Sequence, residues 1–356
     1  MSATAERDRF AGCLLGGAVG DALGAPIEFW SLATIRQRLG ANGLTGYLRA
    51  YGRRGAITDD TQMTLFTAEG LLRADNRGRE KGIVDPVAIV HRAYLRWLRT
   101  QDERPPATVA PDDGWLFALP ELHSRRAPGN TCIGALSSGR VGTIAAPLND
   151  SKGCGGVMRA APAGLARADP DAAFALGRDL AAITHGHVDG ALPAGFLAAL
   201  VALLCRGSSL TDAVGRARAL LLAEPRHTGT LAAVDAALAL AESGREPGAE
   251  LVETLGAGWT GEEALAIALY CALVARNFAH GVLLAVNHSG DSDSTGSIAG
   301  NILGATLGTA DIPPAWLAEL ELRAAVEQVA DDVWRHFGGA QVLRGQEREA
   351  DWQRYP

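Results

Sequence analysis

Apolar residues recur along this chain at the spacing of a helix face and not at the alternation of a strand. Tyr94, Trp97 and Leu98 follow the i, i+3, i+4 rule, and Leu65, Ala68 and Leu72 follow the i, i+3, i+7 rule. The stretches 173–183, 191–205, 231–240 and 264–274 are rich in alanine and leucine, strong helix formers, and poor in β-branched runs. Each predicts a packed helix. The Asn42-Gly43 pair lacks alternating flanks, so no hairpin is expected there. Clusters of Gly, Pro and Asp at 52–55, 105–114, 127–130, 149–156 and 289–296 mark loops between helices. None resembles a long linker, and no solenoid-length repeat is visible. The pattern predicts an all-α fold, with one domain over residues 1–345 and a polar tail, 346–356, that frays.

Composition narrows the function. Hydrophobic residues make up 47% and charged residues 21% of the 356, as in an ordinary globular protein. The net charge of −7 disfavours long phosphate polymers, so DNA and RNA are not expected partners. One phosphorylated small molecule held by backbone N–H groups remains compatible. Cys13, Cys132, Cys154, Cys205 and Cys271 include no Cys-x-x-Cys pair, which argues against a zinc ribbon or dithiol motif and suits a reducing cytoplasm. Met1 to Arg9 is polar, unlike a signal peptide. The longest apolar run, 191–205, is shorter than the roughly 20 residues of a spanning helix, so a buried helix and no membrane are expected.

Two acidic clusters carry the candidate chemistry. Thr58-Asp59-Asp60-Thr61 directly precedes the helical run 63–72, and Gly290-Asp291-Ser292-Asp293-Ser294-Thr295-Gly296 precedes 298–307. The ordinary reading is N-capping, because Asp, Ser and Thr accept from the free N–H groups of a first turn. Capping accounts for one side chain in each cluster. It accounts less well for a neighbouring carboxylate, since close carboxylates repel unless a cation lies between them. Carboxylate and hydroxyl oxygens suit a hard cation such as Mg²⁺ or Mn²⁺, and two such clusters folded together could hold two.

Other positions are weaker. Glu28 follows Gly24 and Pro26, so it belongs on a loop, where a carboxylate is ordinarily solvated. Asp21, between apolar neighbours, reads as a buried cap or a supporting group. Lys152 to Arg159 is a glycine-rich stretch whose backbone could approach a phosphate, but it lacks a P-loop ending, and a tight turn is the plain alternative. His185 and His187 are not at zinc-motif spacing, and a lone histidine usually serves structure.

Taken together and in this order, these segments resemble the ADP-ribosylglycohydrolase family. The resemblance runs from Arg9 to about Gly308 and rests on several motifs. The stretch 9–24 is similar to the family's first helix, and 58–61 and 290–296 to its two metal motifs. Residues 128–131 and 153–159 are similar to its ligand loops, and Gly256-Ala257-Gly258-Trp259 is also family-like. One departure is Val188, where relatives often carry proline after Thr-His-x-His.

The resemblance implies an orthogonal multi-helix bundle with a central binuclear cleft holding two Mg²⁺ (or Mn²⁺). Thr58, Asp59, Asp60, Asp291, Asp293 and Ser294 would be the ligands, with Thr295 as substitute for Ser294. Asp60, Asp293 and Glu28 would be catalytic. Gly129, Asn130, Gly153, Cys154, Gly155, Gly156, Met158 and His185 would contact substrate. The expected activity is metal-dependent removal of ADP-ribose from a protein side chain or small ADP-ribosyl substrate, arginine-linked first, by a cytoplasmic monomer that releases ADP-ribose. Serine- or O-acetyl-linked ADP-ribose is the alternative substrate. A non-catalytic ADP-ribose binder would be expected to have lost an Asp from these motifs. A two-metal phosphohydrolase would be expected to carry a His-Asp pair, and neither cluster has one.

Overall fold

The computed structural model describes residues 1–103, 113–339 and 346–356; of the 105–114 loop only Asp113 and Gly114 fall within them. Among the described residues are seventeen α-helices and a single two-stranded hairpin, Arg49–Ala50 with Arg53–Arg54. That hairpin turns at Tyr51 and Gly52, both with positive φ (50° and 85°), as a two-residue turn between twisted strands requires. Two residues per strand are too few to show alternation, which is why the sequence pattern misses it. The fold is all-α.

The predicted helices are present, and two of them start at side-chain caps. Pro170–Ala182 begins after Asp169, which accepts from Asp171 N–H, and Val188–Cys205 after His187, which accepts from Asp189 N–H. Val188, the departure noted above, is the first residue of its helix. That helix has mean hydropathy 2.0 and is long and apolar enough to cross a membrane, but 83% of it is buried inside the protein. It packs against Pro170–Ala182, Leu210–Ala223 and Ala161–Leu165, so it is a core helix here.

The opening helix, Ala3–Gly24, runs antiparallel along Ser292–Leu307, and glycines set the distance between them. A Cβ at Gly12, Gly16, Gly20 or Gly24 would lie 2.4, 2.3, 1.9 or 2.2 Å from the carbonyl oxygen of Gly304, Gly300, Gly296 or Ser292 respectively. Gly296, Gly300 and Gly304 present the same obstacle in return. Backbone therefore packs on backbone, and the end of the first helix lies beside the start of the second. Gly20→Ala is expected to lower stability by about 1–3 kcal/mol or more through overpacking. Gly215→Ala, on an open helix face, should leave stability level or raise it by about 0.5–1 kcal/mol. Thermal melting of the two variants checks this; equal melting would remove the ridge as the cause.

The chain end departs from the fraying expected of it. Gln346–Arg354 is helical, and Tyr355 is fully buried with its hydroxyl donating to Asp332 Oδ2 at 2.7 Å. Asn76 Nδ2 donates to the Tyr355 carbonyl, and buried His336 lies between Asp75 Oδ2 (2.7 Å) and Asp351 Oδ2 (2.8 Å). The polar residues that suggested a loose tail are its anchors. Burial alone would lower the His336 pKa, but its hydrogen bonds and charge contacts with Asp351 and Asp75 outweigh burial and raise it. Asp75, opposed by burial but bonded to His336 and Arg79, titrates below its ordinary value. A raised His pKa contributes stability below about pH 6.5 that is lost as pH rises through the folded value; a lowered Asp pKa contributes stability above about pH 4 that is lost on acidification. Hydrogen exchange of residues 346–356 should therefore be slowest between about pH 4 and 6.5 after correction for intrinsic rates. Protection that stays flat up to pH 9 would contradict the charged His336 bridge.

Candidate active site

Both acidic clusters start helices, and capping is part of their work. Thr58 caps Asp59–Lys81 by accepting from Asp60 N–H, and Asp291 caps Ser292–Leu307 by accepting from Ser294 N–H at 3.3 Å. Asp59 and Asp60 lie in the first turn of their helix without that duty, and Asp293 Oδ1 shares the Ser294 N–H with Asp291 at 3.1 Å. These four converge with Glu28 on one pocket of about 340 Å³. Carboxylate oxygens of Glu28, Asp291 and Asp293 lie within 4.8 Å of one another.

Asp21, from the end of the opening helix, holds the first cluster in place. Its carboxylate accepts from Thr58 N–H (3.0 Å to Oδ2) and the Thr58 hydroxyl (2.8 Å to Oδ1), and also from Thr61 N–H (3.1 Å) and the Thr61 hydroxyl. It is fully buried and outside the pocket lining, so it positions the turn that carries Asp59 and Asp60. The glycine ridge is what brings it there.

The pocket is strongly acidic. Five carboxylates line it, and among the described residues no Lys or Arg does. Burial, and then the charge of Asp293, pushes Asp59, Asp60 and Asp291 well above the ordinary carboxylate range. Burial followed by the charges of Asp293, Asp291 and Asp59 raises Glu28 to about 10, and burial followed by Asp293 raises Asp21 to about 7. Asp60 Oδ1 is buried and has no hydrogen-bond partner. A carboxylate cluster with an orphaned oxygen and, among the described residues, no cationic side chain in the lining fits a hard divalent cation.

The remaining predicted residues divide. Ser294 lines the pocket, whereas the Thr295 hydroxyl is enclosed by the carbonyls of Ala285 and Asp291 and by His288 Nε2. Ser294 is thus the better placed of the two hydroxyls. Thr58 is fully buried and does not line the pocket. Gly129, Asn130, Gly153, Cys154, Gly155, Met158 and His185 do line it. Gly156 does not: it is a packing glycine, its Cβ position 2.6 Å from the Gly190 carbonyl oxygen.

The glycine-rich loop is less open to an anion than its sequence suggests. Gly153 N–H already donates to Ser151 Oγ and Cys154 N–H to the Trp259 carbonyl. No long helix follows directly, only the short 3₁₀ turn Cys154–Gly156. Across the pocket, Asn130–Ser137 begins without a side-chain cap, and its first residues line the wall. His185 adds a neutral ring. Burial, then Arg159, lowers its pKa to about 3. Arg159 donates to Thr184 Oγ1 at 2.7 Å, and that oxygen lies 2.8 Å from His185 Nδ1, which fixes the ring in the pocket wall.

Six lining residues fall outside the predicted site set: Ala127, Pro128, Thr131, Cys132 and two aromatic residues, Phe29 and Trp259. Phe29 is 70% exposed and Trp259 41%, and their rings stack at 5.3 Å with a 20° interplanar angle. Phe29 has φ of 69°, rare for an aromatic residue, and its N–H faces the Gly290 carbonyl at 3.4 Å. A large apolar residue beside Glu28 on a turn was the available signal.

Comparison with known proteins identifies a family. The chain matches the family described as ADP-ribosylglycohydrolase over residues 2–342. It is 29% identical to the ADP-ribosyl-[dinitrogen reductase] glycohydrolase of Rhodospirillum rubrum, covering 92% of this chain and 95% of that one. It is 24% identical to the ADP-ribosylarginine hydrolase Tri1 of Serratia proteamaculans, covering 92% and 79%. A solved structure titled ADP-ribosylglycohydrolase-related protein complex superposes with a TM-score of 0.66 at 27% identity, covering 94% of this chain and 99% of that one.

Proposed function

Because this chain belongs to the ADP-ribosylglycohydrolase family and hydrolyses ADP-ribose linkages, we propose that its substrate is arginine-linked ADP-ribose and that turnover depends on two divalent cations. Asp59, Asp60, Asp291, Asp293 and Ser294 would hold the cations, with Glu28 within reach of Asp291 and Asp293. Thr58, also expected as a ligand, caps the helix while its hydroxyl lies 3.5 Å from Asp60 Oδ2, so it stays in the candidate set. Bound there, Mg²⁺ or Mn²⁺ supplies Lewis acidity toward water and toward the ribose diol.

The protein's own groups do the rest. Asp60 offers an oxygen free of other hydrogen bonds to take a proton from the attacking water. The uncapped start of Asn130–Ser137 suits the diphosphate, a small anion that needs donors and not a formal positive charge, with the His185 ring beside it. Bond cleavage passes through an oxocarbenium-like transition state, which the surrounding carboxylates favour electrostatically.

The observation that carries the arginine reading is the acidic pocket, lined among the described residues by no Lys or Arg, with a stacked aromatic pair on its wall. A guanidinium gains from both carboxylates and ring faces, and a serine hydroxyl gains from neither. The naming of Tri1 relatives as arginine hydrolases supports the same choice. A side-by-side rate comparison on arginine-linked, serine-linked and O-acetyl ADP-ribose at matched cation concentration should rank arginine first, by about tenfold or more. A serine rate well above the arginine rate would overturn the linkage and leave the family activity intact.

A further inference from the structure

Cys154 stands apart from the other cysteines. Its thiol donates to Asp291 Oδ2 at 2.7 Å, and Ser294 Oγ lies 3.6 Å from its sulfur. It is half-buried and lines the acidic pocket. Cys13, Cys205 and Cys271 are core residues, and Cys132, which also lines the pocket, is buried with its Sγ engaged by Arg159 Nη1 at 3.4 Å. A second feature of the same pocket points to a cation independently of the sulfur. Asp60 is 2% exposed, faces the pocket, and leaves Oδ1 without a partner.

We propose that Cys154 makes the acidic end of the pocket a mixed sulfur–oxygen site, one that takes a thiophilic divalent cation of the zinc and cadmium class in preference to a hard one. The proposal rests on the reading of these carboxylates as a cation site. Sulfur ligands select soft and borderline cations, whereas carboxylate and hydroxyl oxygens alone suit Mg²⁺ and Mn²⁺. Metal–sulfur bonds of about 2.3 Å and metal–oxygen bonds of about 2.0 Å place the two donor atoms ~3.5 Å apart around one ion. Cys154 Sγ and Asp291 Oδ2 reach that separation by opening their hydrogen bond by less than about 1 Å. On binding, the S–H bond breaks, its electron pair forms the sulfur–metal bond, and the proton leaves to solvent, with no change of oxidation state. A cation seated this way excludes the hard one from Asp291, so this cation class acts as an inhibitor.

Cadmium alone is the probe. Metal-free protein is titrated with Cd²⁺ while the ultraviolet sulfur-to-cadmium charge-transfer band is followed. Separately, Cd²⁺ is added to Mn²⁺-loaded protein while free Mn²⁺ is read by electron paramagnetic resonance. The expected result is a one-thiolate band and Mn²⁺ displacement with a Cd²⁺ preference of about tenfold or more. Cys154→Ser should lose the band and at least about tenfold of the preference, with Cys154→Ala as the second variant should the serine form not fold. Cys132→Ser should keep both. No band in the wild type, or a band and preference that survive in Cys154→Ser, would overturn the proposal. Normal Mn²⁺ uptake with an unchanged Cd²⁺ preference overturns the cysteine's role only; uptake of neither ion overturns the cation reading beneath it.

Discussion

Asp293→Ala should leave a folded protein whose turnover falls by about a thousandfold, roughly 4 kcal/mol of transition-state stabilisation. Asp293 is the charge that recurs in the raised pKa values of Asp59, Asp60, Asp291 and Glu28, so it lies at the electrostatic centre of the pocket. On the proposed reading its removal takes away a cation ligand. In metal-free protein it also relieves repulsion, so the variant should melt no lower than the wild type in chelator. Rates of ADP-ribose release and melting in chelator check both halves. A folded variant with near-normal turnover would remove Asp293 from the mechanism.

A different signature is expected from Asp21→Ala: loss of both stability and turnover. The substitution strands two backbone N–H groups and two hydroxyls in a fully buried turn. At about 1–3 kcal/mol for each buried donor left unsatisfied, less what the turn recovers by relaxing, the cost is roughly 3–5 kcal/mol. Turnover should fall because Asp59 and Asp60 ride on that turn. Asp21→Asn keeps one acceptor oxygen and should lie between wild type and alanine on both scales. Wild-type melting of Asp21→Ala would show that the clamp contributes nothing.

What could be read from the sequence was what is local. The helices of residues 173–183, 191–205 and 264–274 announce themselves because alanine, leucine and spacing act within a few turns. The acidic motifs were legible because a cap and the apolar run it starts are adjacent in the chain. Ser294 against Thr295 could not be separated, since neighbouring residues on a helix differ only in the direction they face, and direction is set by packing. The glycines at 12, 16, 20 and 24 show a period of four, but their partners at 304, 300 and 296 lie at the far end of the chain. Asp21 was ambiguous for the same reason: its partners, Thr58 and Thr61, are distant in sequence. The tail misled because composition counts charges and cannot see that Asp351, Arg354 and Tyr355 meet His336 and Asp332. Gly156 was grouped with Gly153 and Gly155 by adjacency, and only the tertiary contact with Gly190 separates them.

Cation-dependent hydrolysis in the acidic pocket is tested by ADP-ribose release from an arginine-linked peptide, with one preparation assayed as isolated, after exhaustive chelation, and after Mg²⁺ or Mn²⁺ is returned. Release should be lost on chelation and recovered when the cation is returned; full activity in the chelated protein would rule out a role for divalent cations.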